Sequence, residues 1–381
     1  MDLIGSLAHS SFWLASYLVP FVFVLATIVF FHELGHFLVA RWCEVQVTAF
    51  SLGFGPELFG ITDRHGTRWK VCAIPLGGFV KFLGDRNVVS VGDSANSLEA
   101  HAQERRATFV GASVSRRLAI VAAGPIASFL LAVCIFSGQF MLFGREVTLA
   151  RVAEVRPNSP AATAGFLPGD IVIAVDNRKI DGFNELIRLV SVSPGQTLKI
   201  TIDRQGSRRV LDVAPAISEV KDPFGNVTRI AQIGLGRSAA PEDTKIERLG
   251  PVRAIELALR QTWFIADQTL QYLFKVFVGR ESADQLGGPI KIAQIAGQAA
   301  TFGFAALLEL AGILSATVGL INLLPIPALD GGHILFYAIE AGRGRPVSEN
   351  VQKWGMRTGL VLVLALMIFT TISDVVRLPA S

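Results

Sequence analysis

The chain has 381 residues, of which 51% are hydrophobic and only 17% charged. Soluble domains carry about 25% charged residues, so disorder and a heavily charged surface are both excluded. The net charge of +4 is too mild to argue for nucleic acid, and the three cysteines, with no paired spacing, argue against a disulfide scaffold or a cysteine zinc knuckle.

The apolar excess is concentrated in long runs. A membrane span needs about 20 mainly apolar residues. Residues 18–40, 118–143 and 304–324 qualify, and residues 359–373 qualify once extended back through Trp354 and Met356. Four transmembrane helices are therefore predicted. The first run is not expected to be a cleaved signal peptide, because residues 1–17 hold no Lys or Arg and no small-residue cleavage site follows. Lys and Arg gather in residues 41–117 and 343–357. That bias predicts both stretches on the cytoplasmic side, with the termini and residues 144–303 outside.

Taken in order, residues 1–44 hold the N-terminus and the first span. Residues 45–117 form a cytoplasmic-side segment. Within it, 45–83 alternate and carry β-formers, with a turn at Asp63-Arg64-His65-Gly66 and a strand from Arg68 to Ile74. Residues 84–105 are polar and predict a loop. Residues 118–143 are the second span. Residues 144–221 predict a compact α+β domain: a strand at Arg151 to Val155, a short helix after Pro157-Asn158-Ser159-Pro160, a strand at Ile171 to Val175 and a helix at Phe183 to Val190. Its PNSPAATAGFLPGDIVIAVD string resembles a bacterial PDZ domain. Residues 222–303 read as a linker with a strand pair, then amphipathic helices. Glu256, Arg260, Asp267 and Lys275 interrupt the apolar residues there, as in a helix lying at the lipid interface. Residues 304–381 hold spans three and four.

The first span contains His32-Glu33-Leu34-Gly35-His36. Histidines at i and i+4 share one helical face, so both imidazoles can reach one ion. Glu33 points about 100° away and can take a proton from a water activated by that ion. Ionisable groups in hydrocarbon tend to mark function. His32 lies nine residues before Arg41, roughly 13 Å of helix, which places the site in the bilayer nearer the cytoplasmic face. Catalytic zinc wants a third protein ligand and an open position. The third span ends in Asn322-Leu323-Leu324-Pro325-Ile326-Pro327-Ala328-Leu329-Asp330-Gly331-Gly332-His333. Two prolines break the backbone there, which is tolerated at membrane depth only inside protein or beside a wet cavity. Asp330 is either the third ligand or the N-cap of the following helix, roles that are compatible. His333 competes as ligand. Asn322 can bond substrate or an oxyanion, or simply a neighbouring helix. His9, His65 and His101 read as solvent-facing.

HELGH, the GFGP and PLGGFVKFLGD stretches, GPIASF, one PDZ-like domain and NLLPIPALDGG together resemble the site-2 protease family (M50), in its bacterial RseP-type branch. The resemblance covers residues 18–373. It implies a polytopic helical membrane protein with four spans, a membrane-associated β-loop and one PDZ domain. It implies one Zn2+ per chain held by His32, His36 and Asp330, with Glu33 as catalytic base. It further implies that Asn322 and the β-loop residues Gly77, Gly78 and Phe79 hold an extended substrate strand. The implied partners are single-span membrane proteins such as pre-cut anti-sigma factors, remnant signal peptides and membrane lipid. The implied place is the bacterial inner membrane, with the PDZ domain and both termini periplasmic. One departure is visible: relatives commonly carry Asn where Ser128 stands. Two rivals are a PDZ adaptor with a vestigial metal site and a zinc transporter. The intact ligand set argues against the first, and the lack of a polar path in span two against the second.

Overall fold

The computed structural model describes residues 3–84, 108–180, 182–191, 193–221, 227–238, 240, 243–279 and 287–376. The predicted loop at 85–105, with His101, lies outside them, as does the side chain of His9. The chain divides into two compact units: residues 1–139 with 251–381, and residues 140–250.

In the first unit, α1 (Leu3–Trp42) is a single 40-residue helix. It ends where Glu44 takes a left-handed φ of 62° and turns the chain into a sheet. That sheet is built from two long bent strands, β1 (Val47–Thr62) and β2 (Arg68–Phe82). Phe50 pairs with both Val80 and Trp69, and Ile61 also pairs with Trp69. The order is therefore 57–62, 68–72, 47–52, 78–82, with 78–82 at one edge; the outer two pairings are antiparallel, and in the central one 47–52 and 68–72 run the same way. The sheet is anchored by aromatic packing: Phe50 stacks on Trp69 at 4.4 Å, and Phe37 of α1 meets the same indole at 4.9 Å.

The next helix, α2 (Val114–Leu142), crosses α1 at backbone contact, because a Cβ on Gly35 would collide with the Ala123 carbonyl. Small residues permit such approach where helices meet in lipid. After the second unit, α5 (Pro251–Phe277) buries Ala254, Ala258 and Thr262 on one face while Val252, Leu259, Trp263 and Phe274 stay exposed. Helix α6 (Pro289–Thr301) is capped by the buried Asp374 carboxylate, which accepts from the Gly288 and Lys291 N–H groups. Helix α7 (Phe304–Leu323) presents Gly312, Ser315 and Gly319 to α2. The proline-broken segment 324–329 follows. Then come α8 (Asp330–Arg343) and α9 (Glu349–Val376), which seats Gly359 against Ala328. Among the described residues, four helical stretches are long and apolar enough to cross a membrane: Ser16–Trp42, Val114–Leu142, Phe304–Leu323 and Glu349–Val376.

The second unit has a four-stranded antiparallel sheet in the order β6 (Arg178–Lys179), β5 (Ile171–Val175), β7 (Leu198–Arg204), β8 (Ser207–Val213). Two short helices, α3 (Pro160–Ala164) and α4 (Phe183–Ser191), complete its core, in which Val152, Ala161, Phe166, Leu186, Ile200 and Ile202 are buried. Ser159 caps α3 by accepting from the Ala162 N–H. Strand β3 (Arg145–Thr148) pairs with β12 (Thr244–Glu247), β4 (Val152–Val155) with β11 (Leu235–Arg237), and β9 (Ala216–Lys221) with β10 (Val227–Gln232). The stretch that reads as a linker with a strand pair thus supplies three strands to this unit, two of them paired with distant segments. A pairing partner some eighty residues away leaves no local signature.

Candidate metal centre

The helical spacing of four brings His32 and His36 together: their Nε2 atoms are 3.3 Å apart, with the rings edge to face. Each ring is held from behind. His36 Nδ1 lies 2.8 Å from the Ile120 carbonyl oxygen, which can only accept. The ring therefore donates from Nδ1, and the neutral imidazole presents a lone pair at Nε2. His32 Nδ1 lies 3.0 Å from the Ser128 hydroxyl, whose backbone carbonyl accepts in turn from Ser315 Oγ. Such partners behind a ring fix its orientation.

Asp330 opens α8, but Leu329 occupies the N-cap position and no side chain caps the helix. Its carboxylate turns to the histidines instead. Oδ2 is 3.1 Å from His32 Nε2 and 3.5 Å from His36 Nε2. That oxygen is buried and has no hydrogen-bond partner despite these approaches. Three potential ligand atoms thus converge within 4.8 Å of one another. In a low-dielectric interior this arrangement is unfavourable without a cation. Bonds of about 2.0 Å to a tetrahedral zinc would set its ligand atoms about 3.3 Å apart, the middle of the observed range. Room for an ion comes from Gly124 of α2: a Cβ there would collide with His36 Nε2 and crowd His32 Nε2. The donor set and the cradle both fit zinc.

Glu33 is half-buried beside this cluster and accepts a hydrogen bond from the Val80 N–H. The 78–82 sheet edge therefore lies against it. Gly78 is required there, since a Cβ would meet the Ser51 carbonyl, Val29 and the Glu33 side chain. Gly77 has a φ of 94° and lies against the Phe54 ring, on which Phe79 stacks at 6.0 Å. Asn322, on the last turn of α7, is half-buried and makes no side-chain hydrogen bond among the described residues. His333 is not one of the converging donors, and His65 is exposed. Sequence reasoning did not anticipate the contributions of Gly124 and the Ile120 carbonyl. The GPIASF stretch was the available signal for the first, and a backbone carbonyl has none.

The profile of peptidase family M50 matches residues 20–366. A protein of Agrobacterium fabrum, provisionally named a zinc metalloprotease, is 45% identical over 363 residues, covering 95% of this chain and 96% of that one. One of Rhizobium meliloti with the same provisional name is 47% identical over 360 residues, covering 94% and 96%. Metalloprotease MmpA of Caulobacter vibrioides is 36% identical over 383 residues, covering 94% and 95%. A PDZ domain structure from Listeria monocytogenes matches 23% of this chain and 84% of its own at 22% identity, and its TM-score of 0.19 carries no argument. The chain belongs to peptidase family M50, the site-2 proteases, and is a zinc metalloprotease with membrane-spanning helices.

Proposed function

We propose that His32, His36 and Asp330 hold one zinc ion per chain, and that Glu33 is the base of a peptidase acting on single-span membrane proteins. The observation that carries this reading is the convergence of three buried lone-pair donors, one of them an orphaned carboxylate oxygen, between apolar helices. Zinc, when bound, supplies a Lewis acid and lowers the pKa of a water toward about 7.

A substrate helix hides its scissile carbonyl in its own hydrogen bonds, so it must first unwind. The 78–82 edge, next to Glu33, offers new partners to the freed backbone, and strand addition there fixes the substrate's direction. Gly77 and Gly78 let that edge pack against Phe54 and Glu33, and with Phe79 they border the substrate strand. Glu33 removes a proton from water as the oxygen attacks the carbonyl carbon. The same carboxyl returns the proton to the amine as the C–N bond breaks. The unengaged Asn322 amide donates to the developing oxyanion or to the substrate backbone. The substrates are single-span proteins such as pre-cut anti-sigma factors, and remnant signal peptides. The enzyme sits in the bacterial inner membrane, with both termini and the 140–250 unit, a PDZ domain, on the periplasmic side. The basic 41–117 and 343–357 stretches support that orientation.

Glu33→Gln in the full chain, reconstituted with a single-span peptide substrate, is expected to retain zinc while cleavage falls by about 1,000-fold or more. Wild-type cleavage in that variant would remove Glu33 from the mechanism.

A further inference from the structure

The ligand-bearing helix α8 is only 14 residues long and hangs from a proline-broken segment. Something must fix its height and rotation if Asp330 is to meet two histidines on another helix. Ten residues beyond Asp330, about 15 Å along the axis, Glu340 meets Arg117 of α2 in a two-pronged ion pair. Arg117 Nη2 donates to Oε1 at 2.7 Å and Nη1 to Oε2 at 3.2 Å. The Arg117 Nε donates to the Ala112 carbonyl at 3.2 Å. Its guanidinium carbon lies 4.8 Å from the centroid of the Tyr337 ring, also on α8, and that ring meets Phe109. Both charged side chains are nearly buried, at 14% and 12% exposure. All three guanidinium nitrogens therefore donate, and two of the group's partners, Glu340 and Tyr337, ride on the metal-ligand helix.

We infer that Arg117 and Glu340 are positioning residues, whose forked contact sets α8 against α2 so that Asp330 reaches the His32–His36 pair. The inference rests on the zinc reading above. A bidentate guanidinium–carboxylate pair specifies angle as well as distance, which an apolar contact or a lysine does not. Ile120, Gly124 and Ser128, which back the two histidines, lie on the same helix as Arg117. One rigid element thus references all three ligands. Loss of a group bonded directly to a metal ligand weakens metal binding by about 10–100-fold, and a support farther along the helix is expected at the lower end of that range.

The test is zinc retention by the full-length protein in detergent, measured by competition with a chromogenic chelator alongside thermal unfolding. Glu340→Gln should weaken retention about tenfold. That single change also strands a buried charge, so two further variants separate positioning from stability. The apolar double variant Arg117→Met/Glu340→Leu removes both charges. It should hold its unfolding temperature yet still lose about tenfold in retention. The reversed pair Arg117→Glu/Glu340→Arg should recover to within about threefold of wild type. An apolar double variant that binds zinc as the wild type does would overturn the inference and leave the metal centre standing, and so would a folded reversed pair that recovers nothing. A wild-type protein that retains no zinc would overturn both. Lys353→Ala, in an exposed pair with Glu349 on α9, serves as the control and should change nothing.

Discussion

Two aspartates with buried carboxylate oxygens, one in each unit, meet opposite fates. Asp170 lies in the tight turn before β5, 1% exposed, and both its oxygens are spoken for. Arg204 donates from Nε at 2.7 Å and from Nη2 at 2.8 Å, and the Leu167 N–H donates at 2.8 Å. Burial alone pushes this carboxyl up, but Arg204 and the Leu167 N–H hold it below the usual carboxylate range. Asp330 has no arginine beside it, and its inward oxygen faces the two histidine Nε2 atoms at 3.1 and 3.5 Å. Proteins satisfy buried polar groups almost without exception, so the unsatisfied one asks for a partner from outside the chain. On the proposed reading, the difference separates a carboxylate that holds a fold together from one kept free for an ion.

The sharpest way to break this contrast is to remove each carboxylate in turn. Asp330→Ala should abolish zinc retention, a loss of about 1,000-fold or more, with cleavage going with it. Asp170→Ala should leave zinc retention unchanged and destabilise the 140–250 unit by about 2–3 kcal/mol in thermal unfolding. Equal zinc loss in the two variants would erase the distinction. Next in size is Asn322→Ala, expected to slow cleavage about 100-fold with zinc content intact, as when one oxyanion donor is lost. Parallel loss of zinc and activity would instead make Asn322 a structural residue. Gly124→Ala should weaken zinc retention about tenfold, because the added methyl invades the space beside both Nε2 atoms. Isothermal titration with zinc reads this directly. The smallest effect concerns pH. Since the Asp170 carboxyl is held low in the folded unit, its contribution is complete above the unfolded pKa of about 3.9. It is lost as pH falls through the lower folded value. Acid unfolding of the 140–250 unit should therefore steepen below about pH 4, and Asp170→Asn should flatten that part of the curve.

Much of the metal centre was legible before any coordinates, because helical periodicity turns a spacing of four into a shared face. The HELGH run needed nothing else. Asp330 was legible as a polar group at membrane depth, yet ligand and helix cap stood equal. The position of Leu329 at the cap and the direction of the carboxylate favour the ligand reading. The Ser128 hydroxyl behind His32 showed in sequence merely as a departure from relatives, since a hydrogen bond between helices depends on their rotation. The Arg117–Glu340 fork joins residues more than two hundred positions apart, and nothing in either neighbourhood announces it. The β-loop was readable as strands. Its fold-over, with Phe50 serving two partners, follows from bends that alternation does not encode. In the second unit a strand pair was expected after residue 222, but the partner of Leu235–Arg237, some eighty residues earlier at Val152–Val155, was not legible.

The central claim is that one zinc ion is gripped by two imidazoles from α1 and the carboxylate that begins α8. Zinc K-edge X-ray absorption on the purified full-length protein tests it most directly. The account predicts light nitrogen and oxygen neighbours at about 2.0–2.1 Å with outer-shell scattering from two imidazole rings, and loss of the bound zinc in Asp330→Ala. Sulfur neighbours at about 2.3 Å, or an unchanged spectrum and occupancy in Asp330→Ala, would contradict it.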